Sequence, residues 1–292
     1  MNWSIDKSKI TELSLEIGIP EPYIEKDIYL IEVLKVLREF NNEQFQFIFS
    51  GGTCLSKGHN LIKRFSEDID FMVKGSDRLN RTEMSNIRKD ALKRIENIGL
   101  VIEGEKSRNE SRFFSCYIKY PKLYDTPMEL RRDIKLEVSF LEPYLDTETK
   151  IIKSFFHDFD ETAPTVAFNC LTLNETAANK VSALVWRIND DSHYDPYLMR
   201  HLYDLSMLKP LTLNDIFKTA TYWAFENDKK NRIKNTEVSF KDICLETLIC
   251  LKADKYANDY SKFVNNMVYK DDAKIPFEKA FTDFEEIINY LI

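Results

Sequence analysis

The sequence is poor in the residue types that mark several large classes of protein. Its 292 residues include seven glycines and nine prolines, too few for long disordered linkers. The five cysteines, at positions 54, 116, 170, 244 and 250, form no CxxC pair, which argues against a disulfide framework or a zinc site. No apolar run approaches the ~20 residues of a membrane-spanning helix, and no basic segment followed by an apolar one opens the chain. We therefore expect a cytoplasmic protein with no membrane contact.

An excess of basic residues is also missing. The formal net charge is −7, so bulk electrostatics exclude a general nucleic-acid binder, and a nucleic-acid partner requires a local basic patch. What is present is an ordinary globular composition, with 43% hydrophobic and 30% charged residues. At about 150 residues per domain, the length predicts two domains.

Hydrophobic periodicity separates the chain into an α/β part and a helical part. Strands are expected over residues 45–49, 68–73, 100–102, 113–120 and 134–141, and helices over 22–38, 53–64 and 84–98. Only helices are expected further on, at 174–189, 195–208, 213–227, 240–251, 254–267 and 276–291. Asp, Glu, Thr and Pro cluster at 158–164, where we place the join between domains 1–160 and 161–292.

A glycine turn follows the first predicted strand. The sequence there is Ser50-Gly51-Gly52-Thr53, and Thr53 is in position to cap the helix that follows. Glycines let a backbone approach a phosphate closely, and the first amides of a helix point at such an anion. Many α/β proteins have a turn like this for tight packing alone, so the turn by itself is weak support for a phosphate site.

Two acids, Asp68 and Asp70, stand two residues apart on the second predicted strand. At a period of two their side chains leave the same face and repel each other unless cations lie between them. Two divalent metals carrying a triphosphate meet that need, with Arg64 and Lys57 near enough in sequence to contact the phosphates. The alternative is a solvated strand face with two surface acids, but the glycine turn upstream favours the metal–nucleotide site.

A third acid, Glu137, lies on a strand with strict alternation. Ile134, Leu136, Val138 and Phe140 form its apolar face, and Glu137 is on the other face. Glu137 is a candidate third metal ligand if its strand lies beside the strand of Asp68 and Asp70. The alternative is the exposed face of a half-buried strand.

The helical part carries a polar stripe. Lys180 and Arg187 lie on one side of a predicted helix, and Arg200 and Asp204 are spaced i, i+4 on the next. Taken alone, these are ordinary charge pairs on surface helices.

Several of these motifs together resemble the AbiEii/AbiGii toxin family of nucleotidyltransferases. The resemblance spans nearly the whole chain. It is carried by Gly51 to Lys57, Arg64 to Phe71, Lys135 to Ser139, Lys180 to Arg187 and Arg200 to Leu205, with Glu25-Lys26-Asp27 similar to the first helix of the family. It implies an α+β fold: a polymerase-beta-like nucleotidyltransferase domain, with a mixed sheet flanked by helices, followed by a C-terminal helical bundle.

The resemblance also implies roles for particular residues. Asp68 and Asp70 hold Mg²⁺ or Mn²⁺, and Lys180 and Asp204 complete the site from the helical domain. The nucleotide is held by the glycine turn and by further polar residues, giving the set Gly51, Gly52, Thr53, Lys57, Arg64, Ser66 and Arg187. The wider superfamily has Gly-Ser at the turn where this chain has Gly51-Gly52, which leaves Ser50 or Thr53 to supply the missing hydroxyl.

The family implies a toxin that moves a nucleotide from a nucleoside triphosphate to RNA, such as the 3′ end of tRNA, with a cognate antitoxin as a further partner. A protein or small-molecule acceptor and a non-catalytic nucleotide-binding module are the alternatives, although the presence of all the acids disfavours the module. An RNA acceptor needs a basic surface, for which the candidates are Arg81, Arg88, Lys89, Lys93 and Arg94, and Lys229, Lys230, Arg232 and Lys234. We expect the active site to lie between the two domains, with Asp204 orienting Lys180 toward the outer phosphates.

Overall fold

The computed structural model describes residues 6–127, 130–190, 194–232 and 238–292. Backbone contacts divide the chain into two compact units. Unit 1 is Met1–Asn60 with Phe65–Leu171, and unit 2 is Leu61–Arg64 with Thr172–Ile292. The boundary predicted from the sequence, at residue 160, precedes the strand Thr165–Cys170 of unit 1.

Unit 1 is built on a seven-stranded mixed sheet. The strands are β1 (Gln46–Ser50), β2 (Asp68–Lys74), β3 (Val101–Arg108), β4 (Phe113–Lys119), β5 (Ile134–Ser139), β6 (Glu148–Lys153) and β7 (Thr165–Cys170). Their order is β3-β4-β5-β2-β1-β7-β6; β2 with β5 and β1 with β7 are parallel, and the other pairs are antiparallel. The mixed sheet confirms the predicted α+β class. The last two strands were not predicted: β6 is largely polar and lies at the sheet edge, whereas the alternation of buried residues in β7 was a signal that the prediction missed.

Three helices of unit 1 accompany the sheet: α1 (Lys7–Ile17), α2 (Glu21–Phe40) and α4 (Arg81–Asn97). The helix α4 opens with a capping box in which Asn80 and Glu83 satisfy each other's backbone amides. Apolar side chains of α2 and α4 share one core with Ile69 and Phe71 of β2. Alternation therefore sends Asp68 and Asp70 to the other face of the strand, where Met72 joins a smaller apolar cluster.

The turn after β1 differs from the prediction. A short helix, α3 (Gly51–Thr53), passes into a π-helical turn, Cys54–Gly58, so the expected helix over 53–64 ends six residues early. A Cβ added to Gly58 would lie 3.1 Å from Cys170 Sγ, and the His59 ring is hydrogen-bonded to the Leu171 carbonyl at 2.8 Å. These packing contacts bring the chain back to β7 and stop the helix, a non-local cause that periodicity does not show.

Unit 2 is helical, as the bundle prediction requires. Its long helices are α5 (Leu173–Ile188), α6 (Met199–Thr212), α7 (Asp215–Arg232), α8 (Phe240–Cys250), α9 (Asp254–Met267) and α10 (Phe277–Leu291). The helix α5 packs on α6, α7 and α8, and α6 also packs on α9 and α10. Leu61–Arg64 belong to this unit because Arg64 forms a β-bridge with Val268 and the Lys63 carbonyl accepts the Tyr269 amide. Within the described ranges, no helix has the length and apolar character needed to cross a membrane.

Candidate active site

The acids of unit 1 converge at the centre of the sheet. In the strand register Asp70 is opposite Ser50 of β1 on one side and opposite Glu137 of β5 on the other. Residues paired in register point to the same face, so Asp70 and Glu137 share a face. The condition set for Glu137, that its strand lies beside β2, is therefore met. Its role as a metal ligand stays a prediction.

The glycine turn and Asp70 are in direct contact. Gly51 has a φ of +73°, and a Cβ built on it would lie 2.0 Å from Asp70 Oδ2. A side chain at position 51 would thus occupy the space that the carboxylate fills, in a backbone region that only glycine adopts freely. The glycine is required here for two reasons at once, and it fixes the acid beside the turn.

Asp68 is more enclosed than a surface acid. Its residue is only 5% exposed, and its Oδ1 accepts a hydrogen bond from the Arg131 guanidinium. The Thr53 hydroxyl, itself fully buried, donates to the Asp68 backbone carbonyl. Thr53 therefore ties the turn to β2 through its hydroxyl, while the capping role expected for it is not seen: the residue before α3 is Ser50.

Lys57, predicted to contact the nucleotide, lies in an ion pair. Its Nζ is 2.5 Å from Asp27 Oδ1 and 3.8 Å from the centre of the Phe155 ring. Asp27 also accepts the Phe155 amide at 2.7 Å. Burial raises the pKa of the Asp27 carboxyl, and the neighbouring Lys57 opposes that shift. Lys57 thus compensates a buried carboxylate, one of four charged side chains that α2 contributes to the interior.

Glu25 and Lys26 are the two of these that stand directly before Asp27 in the sequence. Glu25 accepts the Leu123 amide at 2.6 Å. Lys26, with 4% of its side chain exposed, donates to Glu67 Oε2 at 2.8 Å and to the Arg131 carbonyl at 2.7 Å. Sequence reasoning gave none of these three a function. The signal was a run of three adjacent charged residues, Glu25-Lys26-Asp27, with apolar and aromatic residues on both sides of it.

The carboxylates of Asp68 and Asp70 suit a hard divalent cation, because Mg²⁺ and Mn²⁺ favour oxygen ligands. Glu137 is ion-paired with Lys135 at 2.5 Å. Across the residues that the structure describes, no group of three His, Cys, Asp or Glu side chains is arranged to hold one metal ion. The two aspartates fit such an ion by donor type and by shared face, and Glu137 lies next to them on β5.

A second charged centre lies inside unit 2. Asp204 is fully buried; its Oδ1 accepts Arg64 Nε–H and its Oδ2 accepts Arg64 Nη2–H, both at 2.7 Å. Lys180 Nζ donates to Asp204 Oδ2 at 2.6 Å. Burial raises the pKa of Asp204, but Arg64 and then Lys180 outweigh it and bring the pKa to about 2. We call Arg64, Lys180 and Asp204 the buried triad.

The triad carries two cations and one anion, so it is positively charged as a set. Desolvation lowers the pKa of Lys180, and Asp204 partly restores it. Neither Lys180 nor Asp204 is on an outer surface, since Lys180 is 5% exposed. Asp204 thus contacts the ammonium of Lys180, and the expected role of this contact in directing Lys180 toward the phosphates stays a prediction.

His201, one turn before Asp204, has both ring nitrogens buried, and neither has a hydrogen-bond partner within the described part of the chain. Burial holds the pKa of its imidazole well below the ordinary value, and nearby Lys180, Arg187, Arg200 and Arg64 add to that effect. Arg187 itself is 3.5 Å from Asp195. The surroundings of His201 are thus cationic.

The remaining predicted nucleotide ligands are Gly52 and Ser66, both half-buried, near the turn and just before β2. The structure brings together Gly51, Asp70 and Glu137 in unit 1, and Arg64, Lys180 and Asp204 in unit 2. Lys57 is instead ion-paired with Asp27, and the Thr53 hydroxyl donates to the Asp68 carbonyl. The basic residue Lys234 lies outside the described residues.

Two acids on a central strand of a mixed sheet, a glycine turn beside one of them and a helical unit after the sheet are the arrangement expected of a nucleotidyltransferase. The sequence model of the family described as "Nucleotidyl transferase AbiEii toxin, Type IV TA system" matches residues 35–289. The chain belongs to this family of nucleotidyltransferase toxins.

Structural comparison agrees with the family. The chain is similar to MenT4, a nucleotidyltransferase toxin from Mycobacterium tuberculosis H37Rv, with a TM-score of 0.68 and 14% sequence identity, covering 99% of this chain and 90% of that one. At that identity the likeness concerns the fold. No curated protein matches the sequence significantly.

Proposed function

We propose that the chain transfers a nucleotide from a nucleoside triphosphate to an RNA acceptor, the 3′ end of tRNA, in a reaction that requires a divalent metal ion. The observation that supports this most is the contact of Asp70 with Gly51, next to Glu137. It joins the turn suited to phosphate and the acids suited to metal within a few ångströms.

In the proposed reaction the acceptor hydroxyl oxygen bonds to the α-phosphorus, the bond from that phosphorus to the bridging oxygen breaks, and pyrophosphate leaves. Asp68 and Asp70 would hold Mg²⁺, which neutralises charge on the phosphates when bound. The turn at Gly51-Gly52 lets the triphosphate approach the backbone. The hydroxyl proton leaves to a carboxylate or to solvent.

We include Lys180 and Asp204 in the proposed machinery on the strength of the resemblance and of their burial. A lysine held by a fully buried carboxylate keeps one orientation, and a fixed cation stabilises charge that grows on a leaving group. The antitoxin is a proposed partner on the same family grounds.

The basic helix α4 is a poor acceptor platform. It packs on the Ile69 and Phe71 side of β2, whereas Asp70 projects to the opposite side. Among the candidate cations, those on α4 are thus separated from the acids by the sheet. The remaining described candidates are Lys229 and Lys230, which we propose as contacts for an RNA backbone.

The test is to incubate the protein with each α-labelled nucleoside triphosphate, Mg²⁺, and either total RNA or total protein. We expect the label in the tRNA fraction. The matched variants are Asp70→Asn and Asp90→Asn; Asp90 is an exposed acid on α4. We expect Asp70→Asn to lower transfer by orders of magnitude and Asp90→Asn to leave it unchanged. Label in the protein fraction would show that the acceptor is a protein and not RNA. Transfer at the parental rate by Asp70→Asn would reject the metal site.

A further inference from the structure

Arg131 is held in place at both of its backbone polar atoms. Its N–H donates to Glu67 Oε2 at 2.5 Å, and its carbonyl accepts from Lys26 Nζ at 2.7 Å. Lys26 and Glu67 are themselves paired at 2.8 Å, with 4% and 14% of their side chains exposed. A residue between strands thus has its main chain fixed by a buried ion pair.

The side chain of Arg131 extends from this fixed backbone to Asp68. The guanidinium Nη1 donates to Asp68 Oδ1, and the two side chains are 30% and 8% exposed. Because the backbone is already ordered, holding the guanidinium costs less side-chain entropy than it would in a free loop. Arginine keeps its charge at any physiological pH, so the positive charge beside Asp68 is permanent.

A permanent cation on one carboxylate oxygen has two consequences for a metal ion. That oxygen already accepts a hydrogen bond from the guanidinium. The cation also repels the metal, since a divalent ion near Asp68 is then only a few ångströms from a fixed positive charge. Arg131 largely neutralises the negative charge of Asp68, and Lys135 is paired with Glu137, so the acids by themselves form a weak site for a divalent ion. A triphosphate brings the missing negative charge.

We propose that Arg131 is a positioning residue that holds one oxygen of Asp68 and thereby makes tight metal binding depend on the nucleotide. The proposal rests on the proposed function, in which Asp68 and Asp70 carry the metal. In this proposal the buried pair of Lys26 and Glu67 fixes the backbone of Arg131. These two charged side chains have no other part in the proposed reaction.

The test is a titration of Mn²⁺ by electron paramagnetic resonance, with and without a non-hydrolysable nucleoside triphosphate. For the parent protein we expect weak binding of Mn²⁺ alone and much tighter binding with the nucleotide. Arg131→Met removes the fixed charge, so we expect it to bind Mn²⁺ alone roughly tenfold more tightly. Arg131→Lys keeps the charge and is expected to resemble the parent. A fold damaged by substitution would weaken metal binding, which is the opposite direction.

Arg132→Met is the matched control, because Arg132 is the exposed neighbour of Arg131. We expect it to bind Mn²⁺ as the parent does. If Arg131→Met binds Mn²⁺ alone with the parental affinity, while Asp70→Asn abolishes the nucleotide-dependent binding, the role of Arg131 is wrong and the metal site stands. If Asp70→Asn binds Mn²⁺ and nucleotide like the parent, the proposed function itself fails.

Discussion

The contact of Gly51 with Asp70 predicts that adding one methyl group at position 51 lowers activity. Gly51→Ala places a Cβ 2.0 Å from Asp70 Oδ2 at a φ of +73°. We expect the carboxylate to move and transfer to fall roughly a hundredfold, as expected for a catalytic group displaced by about an ångström. Transfer is measured with the labelled nucleotide.

The control is Gly18→Ala, which has a nearly equal φ of +69° but no heavy atom within 4 Å of the added Cβ. Both variants carry the backbone cost of a left-handed alanine, about 1–2 kcal/mol. Only Gly51→Ala is expected to lose activity. Equal activity in the two variants would show that the turn does not fix Asp70.

His201 gives a prediction for pH. The pKa of His201 in the folded state is below the ordinary value of 6.5. At a pH between these two pKa values, the unfolded chain binds a proton at this imidazole and the folded chain does not. Stability therefore rises with pH, is fully present above pH 6.5 and is lost as the pH falls toward the folded-state pKa.

Urea unfolding at pH 7.5 and 5.5 checks this. We expect the parent to lose more stability on acidification than His201→Gln, by at most about 1.4 kcal/mol per pH unit. The same pH dependence of stability in the parent and in His201→Gln would contradict the assignment to His201.

At the scale of elements, the helices α5 and α6 are joined by the buried triad. Asp204→Asn leaves Lys180 and Arg64 as two buried cations without a counter-charge. Breaking a buried pair in this way costs about 3–5 kcal/mol. We expect a loss of that order in urea unfolding, together with a loss of nucleotide transfer measured at a temperature where the variant is folded by circular dichroism.

Asp283→Asn is the matched control. Asp283 is 3% exposed and lies on α10, where it is 2.8 Å from Lys209 of α6 and 2.6 Å from Lys279 of its own helix. Its replacement is expected to lower stability and leave transfer at the parental rate. Loss of transfer in both variants would mean that the triad matters only for the fold.

The elements also show what could be predicted from the sequence. Strict alternation placed Asp68, Asp70 and Glu137 correctly, because a period of two fixes the face of each side chain. The π-helical turn, the Arg131 contact and the pairing of Arg64 with Asp204 could not be predicted this way. Each depends on residues 41 to 140 positions apart, brought together by packing that local periodicity does not encode.

At the scale of the whole molecule, Arg64 departs from the simple order of the chain. It follows unit 1 residues in sequence, yet it belongs to unit 2 through Asp204 and Val268. We expect Arg64→Met to lower the stability of unit 2 by about 2–3 kcal/mol, the value of hydrogen bonds to a buried charge.

Tryptophan fluorescence is the measurement, because two of the three tryptophans, Trp186 and Trp223, belong to unit 2. Arg38→Met is the control, since Arg38 is an exposed arginine of unit 1 that donates to the Ala167 carbonyl at 3.1 Å. An unchanged unfolding midpoint in Arg64→Met would show that Lys180 alone satisfies Asp204.

The separation of Arg64 and Asp204 by 140 positions also bears on synthesis. At about 5–20 residues per second, the ribosome makes the carboxylate on the order of ten seconds after the guanidinium. Until then the nascent chain holds an arginine whose counter-charge does not yet exist. All seven strands of unit 1 precede Asp204 in sequence, so they are synthesised before the buried triad can form.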